Sequence, residues 1–214
     1  MQEIPAQTQE ECKSKWDQAY KLCDKLQWPD DPLNEHTQPK PAVLRQCARI
    51  IDTIFFEGTL FKKRILSFTK NRGGIQLSIV FEEEPGEGYK KPEERVAVTY
   101  KEEEGEEGEE EQTEIVLYRS QLQTKWEEKG QGYFCIYDFT PRSTQHAVLH
   151  CVARQLLYAI DADYSKRDWG DARRVQTHIL GSGAVLKSSH RSEETWNWRV
   201  RLLRWAVQGP RMRL

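Results

Sequence analysis

No apolar run in the sequence approaches the roughly 20 residues that a membrane-spanning helix needs. The first residues, MQEIPAQTQEECKSKW, lack the charged-then-apolar order of a secretory leader. Membrane insertion and secretion are therefore disfavoured, and no membrane partner is expected. A Cys-x-x-Cys pair is also missing: the five cysteines, Cys12, Cys23, Cys47, Cys135 and Cys151, are odd in number and scattered. That pattern argues against a disulfide framework and against a structural zinc ribbon, and it reads as reduced thiols in a nuclear or cytoplasmic protein. There is no Walker loop and no Gly-x-Ser-x-Gly. Gly181-Ser182-Gly183 has no strand before it and no Gly-Lys-Ser/Thr after it, so it makes no phosphate cradle. No internal repeat is found.

What is present suffices for one domain with an appended arm. The 214 residues are 37% hydrophobic and 10% aromatic, with seven Trp, at a mean hydropathy of −0.80. Such a chain can bury a core, which excludes wholesale disorder. The net charge of −2 hides an asymmetry. Residues 82–114 hold 15 Glu against Lys90, Lys91, Arg95 and Lys101, a balance of −11, whereas residues 164–214 hold 11 basic and four acidic residues, a balance of +7. An acidic loop and a basic end can be solvating surfaces, or the basic end can meet a polyanion.

Apolar residues at Trp16, Ala19, Tyr20, Cys23 and Leu26 predict an amphipathic helix within residues 8–27. Pro29, Pro32, Pro39 and Pro41 make the next stretch a connector. From Ala42, the positions Val43, Cys47, Ile50, Ile51, Ile54 and Phe55 predict a second helix, closed near Gly58. TLFKKRILSF (59–68) and IQLSIVF (75–81), separated by Asn71-Arg72-Gly73-Gly74, read as a β-hairpin. RVAVTY (95–100) and EIVLY (114–118) read as strands joined by a disordered Glu/Gly tract. A short helix at 119–128 and an aromatic strand, GYFCIY (132–137), precede a long helix. Thr140 as its cap and Pro141 at its first position open that helix, which runs to Ile160. Leu149, Val152, Leu156 and Ile160 form its core stripe, and His146, His150 and Arg154 a polar line at intervals of four. A helical stretch to about Leu180 and a last helix near Glu194 to Val207 complete the chain.

His146 and His150 are spaced so that both imidazoles can face one metal, yet no third or fourth ligand accompanies them; His178 and His190 are unplaced. Cys151 is better read as a small buried hydrophobe than as a nucleophile, since its neighbour His150 points about 100° away on a helix. TWNWRVRLLRW (195–205), followed by Arg211 and Arg213, is both basic and indole-rich. Arg199, Arg201, Arg204, Arg211 and Arg213 are the candidate nucleic-acid contacts, because guanidinium and indole together grip phosphates and stack on bases. The competing reading is packing: Trp198, Leu202 and Trp205 recur at helical spacing.

The order of elements resembles a known family. IIDTIFFEGTL (50–60) looks like the opening helix and F-F-x-G-x-L exit of the SprT-like (Spartan-type) zinc metallopeptidase domain. TEIVLYRSQL (113–122) resembles the strand before that family's active-site helix, AVLHCVARQLLYAID (147–161) the helix itself, and RDWGD (167–171) its D-G-H-G segment. The family's helix carries His-Glu-x-x-His, where two imidazoles bind zinc and the Glu takes a proton from the metal-bound water. The matching positions here are His150, Cys151 and Arg154, and the third His falls at Trp169. Sliding the frame so that His146 and His150 become the pair puts Ala147 at the Glu position.

The resemblance implies an α+β fold with helices packed on a small, mostly antiparallel sheet, in a zincin-like metallopeptidase architecture. Residues 1–41 are expected as an N-terminal helix and Pro-rich connector, 42–185 as the SprT-like domain with an acidic disordered insertion at about 101–113, and 186–214 as a basic Trp/Arg-rich C-terminal helix. The expected function is a catalytically inactive binding or scaffolding module, at DNA or a DNA-bound protein, with no cofactor. Two alternatives stay open: an active zinc metallopeptidase using His146 and His150, and a protein-interaction domain with no nucleic-acid role.

Overall fold

The computed structural model describes residues 9–34, 36–69, 75–84, 96–101, 112–136, 139–160 and 180. Helix α1 (Gln9–Cys23) buries Cys12, Trp16, Ala19, Tyr20 and Cys23. It stops at Cys23, whose carbonyl accepts the Trp28 indole N–H at 2.9 Å. The connector then runs irregularly to Lys40, anchored where the Arg119 guanidinium donates to the Leu33 carbonyl at 3.1 Å and pairs with Glu83. Pro41, expected at the end of the connector, instead opens α2 (Pro41–Phe55), where its missing N–H is no loss. The amphipathic face of α2 buries Val43, Leu44, Cys47, Ala48, Ile50, Ile51 and Phe55.

The expected first strand is mostly something else. Thr59–Lys62 forms a helical turn, α3, Arg64 follows in the left-handed region at φ 57°, and only Leu66–Ser67 is strand, β1. The cause is Asp52, 2% exposed, whose carboxylate accepts the backbone N–H of Leu60 at 2.9 Å and of Phe61 at 3.2 Å. A buried acceptor eight residues upstream overrides a β-rich local composition. Asp52→Ala should lower stability by about 3 kcal/mol, since a buried and a half-buried donor lose a charged acceptor. A urea midpoint unchanged from the parent would show that the turn holds itself.

Strands β2 (Ile75–Glu82), β3 (Ala97–Lys101) and β4 (Gln112–Tyr118) complete a four-stranded sheet of order β1-β2-β4-β3. β1 pairs with β2 in parallel, so the hairpin expected between them does not form. β2 and β4 are also parallel, and only β3 and β4 are antiparallel, so the sheet is mixed rather than mostly antiparallel. The central place of β4 accounts for its continuous burial from Ile115 to Tyr118, as a strand covered on both faces requires. β2 alternates instead, with Ile75, Leu77 and Ile79 inward. The acidic tract at 102–111 connects the antiparallel neighbours β3 and β4 and lies outside the described residues.

After α4 (Arg119–Lys129) the expected aromatic strand is a 3₁₀ turn, Gln131–Phe134, followed by a single bridge between Ile136 and Phe139. Gly130, at φ 66°, ends α4 and starts this turn, which drives Phe134 and Ile136 into the core. Helix α5 (Thr144–Ile160) begins later than Thr140 and Pro141 suggest. Ser143 is the cap: its hydroxyl accepts the His146 N–H at 3.3 Å. α5 packs on α2, α1, β3 and β4 and is buried nearly all round, although Ile160 is only half-buried. α2 lies over β2 beside it. The molecule is thus α+β, with helices on a small mixed sheet. Leu180 is buried, and its carbonyl accepts the Trp16 indole N–H at 2.6 Å. The stretch leading to it, the Gly181–Gly183 turn and the expected C-terminal helix lie outside the described residues. Among the described residues no helix is long and apolar enough to cross a membrane.

Candidate functional site

The interval of four places His146, His150 and Arg154 on one line of α5, and that line does not face water. His146 is 4% exposed and His150 0%. What covers it is α1 and the residue just past its end, where Trp16, Tyr20 and Asp24 recur at the same interval. The two lines meet residue by residue. The Tyr20 hydroxyl lies 2.6 Å from His150 Nε2, and Asp24 Oδ1 lies 2.8 Å from His146 Nε2. The Tyr20 ring stacks on the His146 ring with centroids 4.1 Å apart and planes 13° from parallel, and the Trp16 ring lies 4.3 Å from that of His150. Arg142 stands over the Tyr20 ring and pairs with Asp17.

The tautomers follow from the partners. His150 Nδ1 lies 2.9 Å from the Phe134 carbonyl, which can only accept, so Nδ1 carries the proton. Nε2 is then a bare lone pair that receives the Tyr20 O–H; the Thr140 carbonyl, at 3.3 Å from that hydroxyl, is the weaker rival. His146 Nδ1 accepts the Arg142 backbone N–H at 3.4 Å, leaving Nε2–H to donate to Asp24. Neither imidazole keeps an idle nitrogen.

Burial sets the charge states. It pushes His150 down to about 3, with the Arg154 and His146 charges adding and the Phe134 carbonyl opposing. His146 is also lowered by burial, against the pull of Asp24. Burial raises the Cys151 thiol to about 11 despite Arg154, and raises Tyr20 as well. At neutral pH the cluster therefore holds neutral imidazoles, a protonated thiol and a protonated phenol. A metal needs a free nitrogen lone pair and a nucleophile needs a thiolate; this arrangement offers neither.

Arg154, a turn beyond His150, donates through Nη2 to the Cys135 carbonyl, while its buried Nε finds no acceptor among the described residues. A guanidinium there repels a dication. Among the described residues no three His, Cys, Asp or Glu side chains converge as ligands. The donors of α5 thus do not fit a zinc ion as they stand.

His146, His150 and Arg154 follow one another at single-turn intervals along α5, and Cys151 is buried off that line. Trp169, His178, His190, Arg199, Arg201, Arg204, Arg211 and Arg213 lie outside the described residues. Trp16, Tyr20 and Asp24 complete the cluster without standing out in the sequence as a site. Their one signal is the four-residue interval shared with the histidines. No family model, curated protein or solved structure matches this chain.

Proposed function

We propose that this chain is a non-catalytic binding module on a SprT-like, zincin-like scaffold, a pseudoenzyme whose protease-type helix has become core. One observation carries the reading: both ring nitrogens of His150 are held, one by Tyr20 and the other by Phe134. Around it, Cys151 stands where a general base is needed and Arg154 where a second ligand is needed. The segments 50–60, 113–122 and 147–161 supply the resemblance. The partner is DNA or a DNA-bound protein in the nucleus or cytoplasm, engaged through the basic C-terminal quarter with Arg199, Arg201, Arg204, Arg211 and Arg213.

The purified protein should carry well below one equivalent of zinc after dialysis, by mass-spectrometric metal analysis. Stoichiometric zinc that leaves only with a strong chelator would establish the metallopeptidase reading through His146 and His150. Installing the missing groups should not restore chemistry: Cys151→Glu with Arg154→His leaves His150 Nε2 on Tyr20 and supplies no third ligand. Measurable cleavage of casein by that double variant would contradict this. Absence of DNA binding at about 50 mM salt, where phosphate contacts are strongest, would favour a protein-interaction domain instead.

A further inference from the structure

Away from the histidine cluster, a concave site lies where α2, α3 and β1 meet. It is a cleft of about 450 Å³ whose lining includes Arg49, Lys62, Arg64, Phe61 and Phe68. That volume is in the range of ligand-binding clefts. The phenyl rings of Phe61 and Phe68 stack with centroids 4.8 Å apart and planes 22° from parallel. The Arg49 guanidinium stands 5.2 Å from the Phe61 ring centre and 5.6 Å from that of Phe68, and Arg45 stands 5.9 Å from Phe68.

Both guanidinium groups lie against these rings, and neither forms an ion pair among the described residues. Arg45, Arg49, Lys62 and Arg64 are all exposed. The one acid among the residues lining the cleft, Asp52, is buried under the Leu60 and Phe61 N–H groups, and its single charge, felt by Arg49 and Lys62, is outnumbered by the cations around it. Arg64 is held in the left-handed region, which a non-glycine residue adopts rarely, and the Lys62 stem crosses Gly58, where a Cβ would come within 2.9 Å of it.

We propose that this cleft seats the phosphodiester backbone of a single-stranded nucleic acid, with Arg49, Lys62 and Arg64 in the cleft and Arg45 beside it on the phosphates, and the Arg–Phe cluster meeting unstacked bases. Several cations at one concavity suit a chain of phosphates better than one anion. The aromatic layer favours an unpaired strand, whose bases are free to lie on it. The site rests on the nucleic-acid part of the reading above for the identity of its ligand, but uses a surface remote from the C-terminal arginines in sequence.

The test measures binding of the full chain to fluorescent dT20 and dA20 across a salt series. The variants are Arg45→Gln/Arg49→Gln/Lys62→Gln and, separately, Arg199→Gln/Arg201→Gln/Arg204→Gln. The cleft variant should weaken binding to both oligonucleotides about 30-fold at low salt, and the slope of log K against log salt should become shallower by about 2, near 0.7 for each phosphate no longer neutralised. An oligonucleotide carrying 5-iodouracil should crosslink to the peptide containing Phe61 or Phe68. If DNA binds but the cleft variant matches the parent in affinity and slope, the cleft assignment is wrong and the C-terminal reading stands. If neither oligonucleotide binds at about 50 mM salt, the nucleic-acid reading itself fails. Binding to anionic vesicles or to a poly-Glu peptide of equal charge with the same loss in the cleft variant, but not to DNA, would overturn the proposal in favour of those partners.

Discussion

Acidification from pH 7 to pH 4 should remove about 3 kcal/mol of stability through His150 alone, approaching about 5 kcal/mol below pH 3. The sign follows from the two states. His150 titrates near 3 when folded against 6.5 when free, because burial among Trp16, Tyr20 and Phe134 excludes the water that an imidazolium needs. Between those values the unfolded chain binds a proton that the folded chain refuses. The contribution is therefore fully present above pH 6.5 and is lost as pH falls towards 3. His146, also lowered by burial, adds in the same direction. Asp52, raised by burial, opposes both within the carboxylate range. The comparison is His150→Gln, whose amide can donate to the Phe134 carbonyl and accept from Tyr20 without titrating. Urea midpoints for parent and variant should diverge with pH, steeply for the parent and weakly for the variant. Parallel curves from pH 7 to pH 4 would mean that His150 is not a buried neutral base.

The histidines also mark the limit of what periodicity reveals. A four-residue interval says which side chains share a line on a helix; it does not say whether that line faces water, because the answer depends on what packs against it. α2 and β2 are legible because their patterns are strongly one-sided. In α5 the apolar residues spread round the helix, so the polar line looks like the outer face only by contrast. The cover comes from α1, more than 120 residues earlier in the chain. The same limit explains the expected strands that do not form. TLFKKRILSF has the composition of a strand, but its first half is captured by Asp52 from another element, and GYFCIY inserts Phe134 and Ile136 into the core from a turn. Strand pairing is equally non-local: alternation locates β2 and IVLY locates β4, yet nothing in either says that they run in parallel.

Trp16→Ala should lower stability by about 4 kcal/mol, because removing a fully buried indole loses its transfer energy and leaves a cavity. Trp16 is 1% exposed and packs its ring against Phe55 at 4.8 Å, His150 at 4.3 Å and Tyr20 at 5.7 Å. Its N–H also satisfies the Leu180 carbonyl, which the alanine variant orphans. Trp16→Phe keeps an aromatic ring at the same place and should lose only about 1–2 kcal/mol. The cavity and the acid sensitivity are coupled, and that coupling is the sharper test. If α1 is what dries His150, the cavity left by Trp16→Ala admits water beside the imidazole and raises its folded pKa towards 6.5. The variant should then be less stable at pH 7 and also less sensitive to acid. Loss of about 4 kcal/mol with an undiminished pH dependence would place the burial of His150 on the Phe134 side and leave α1 as packing alone.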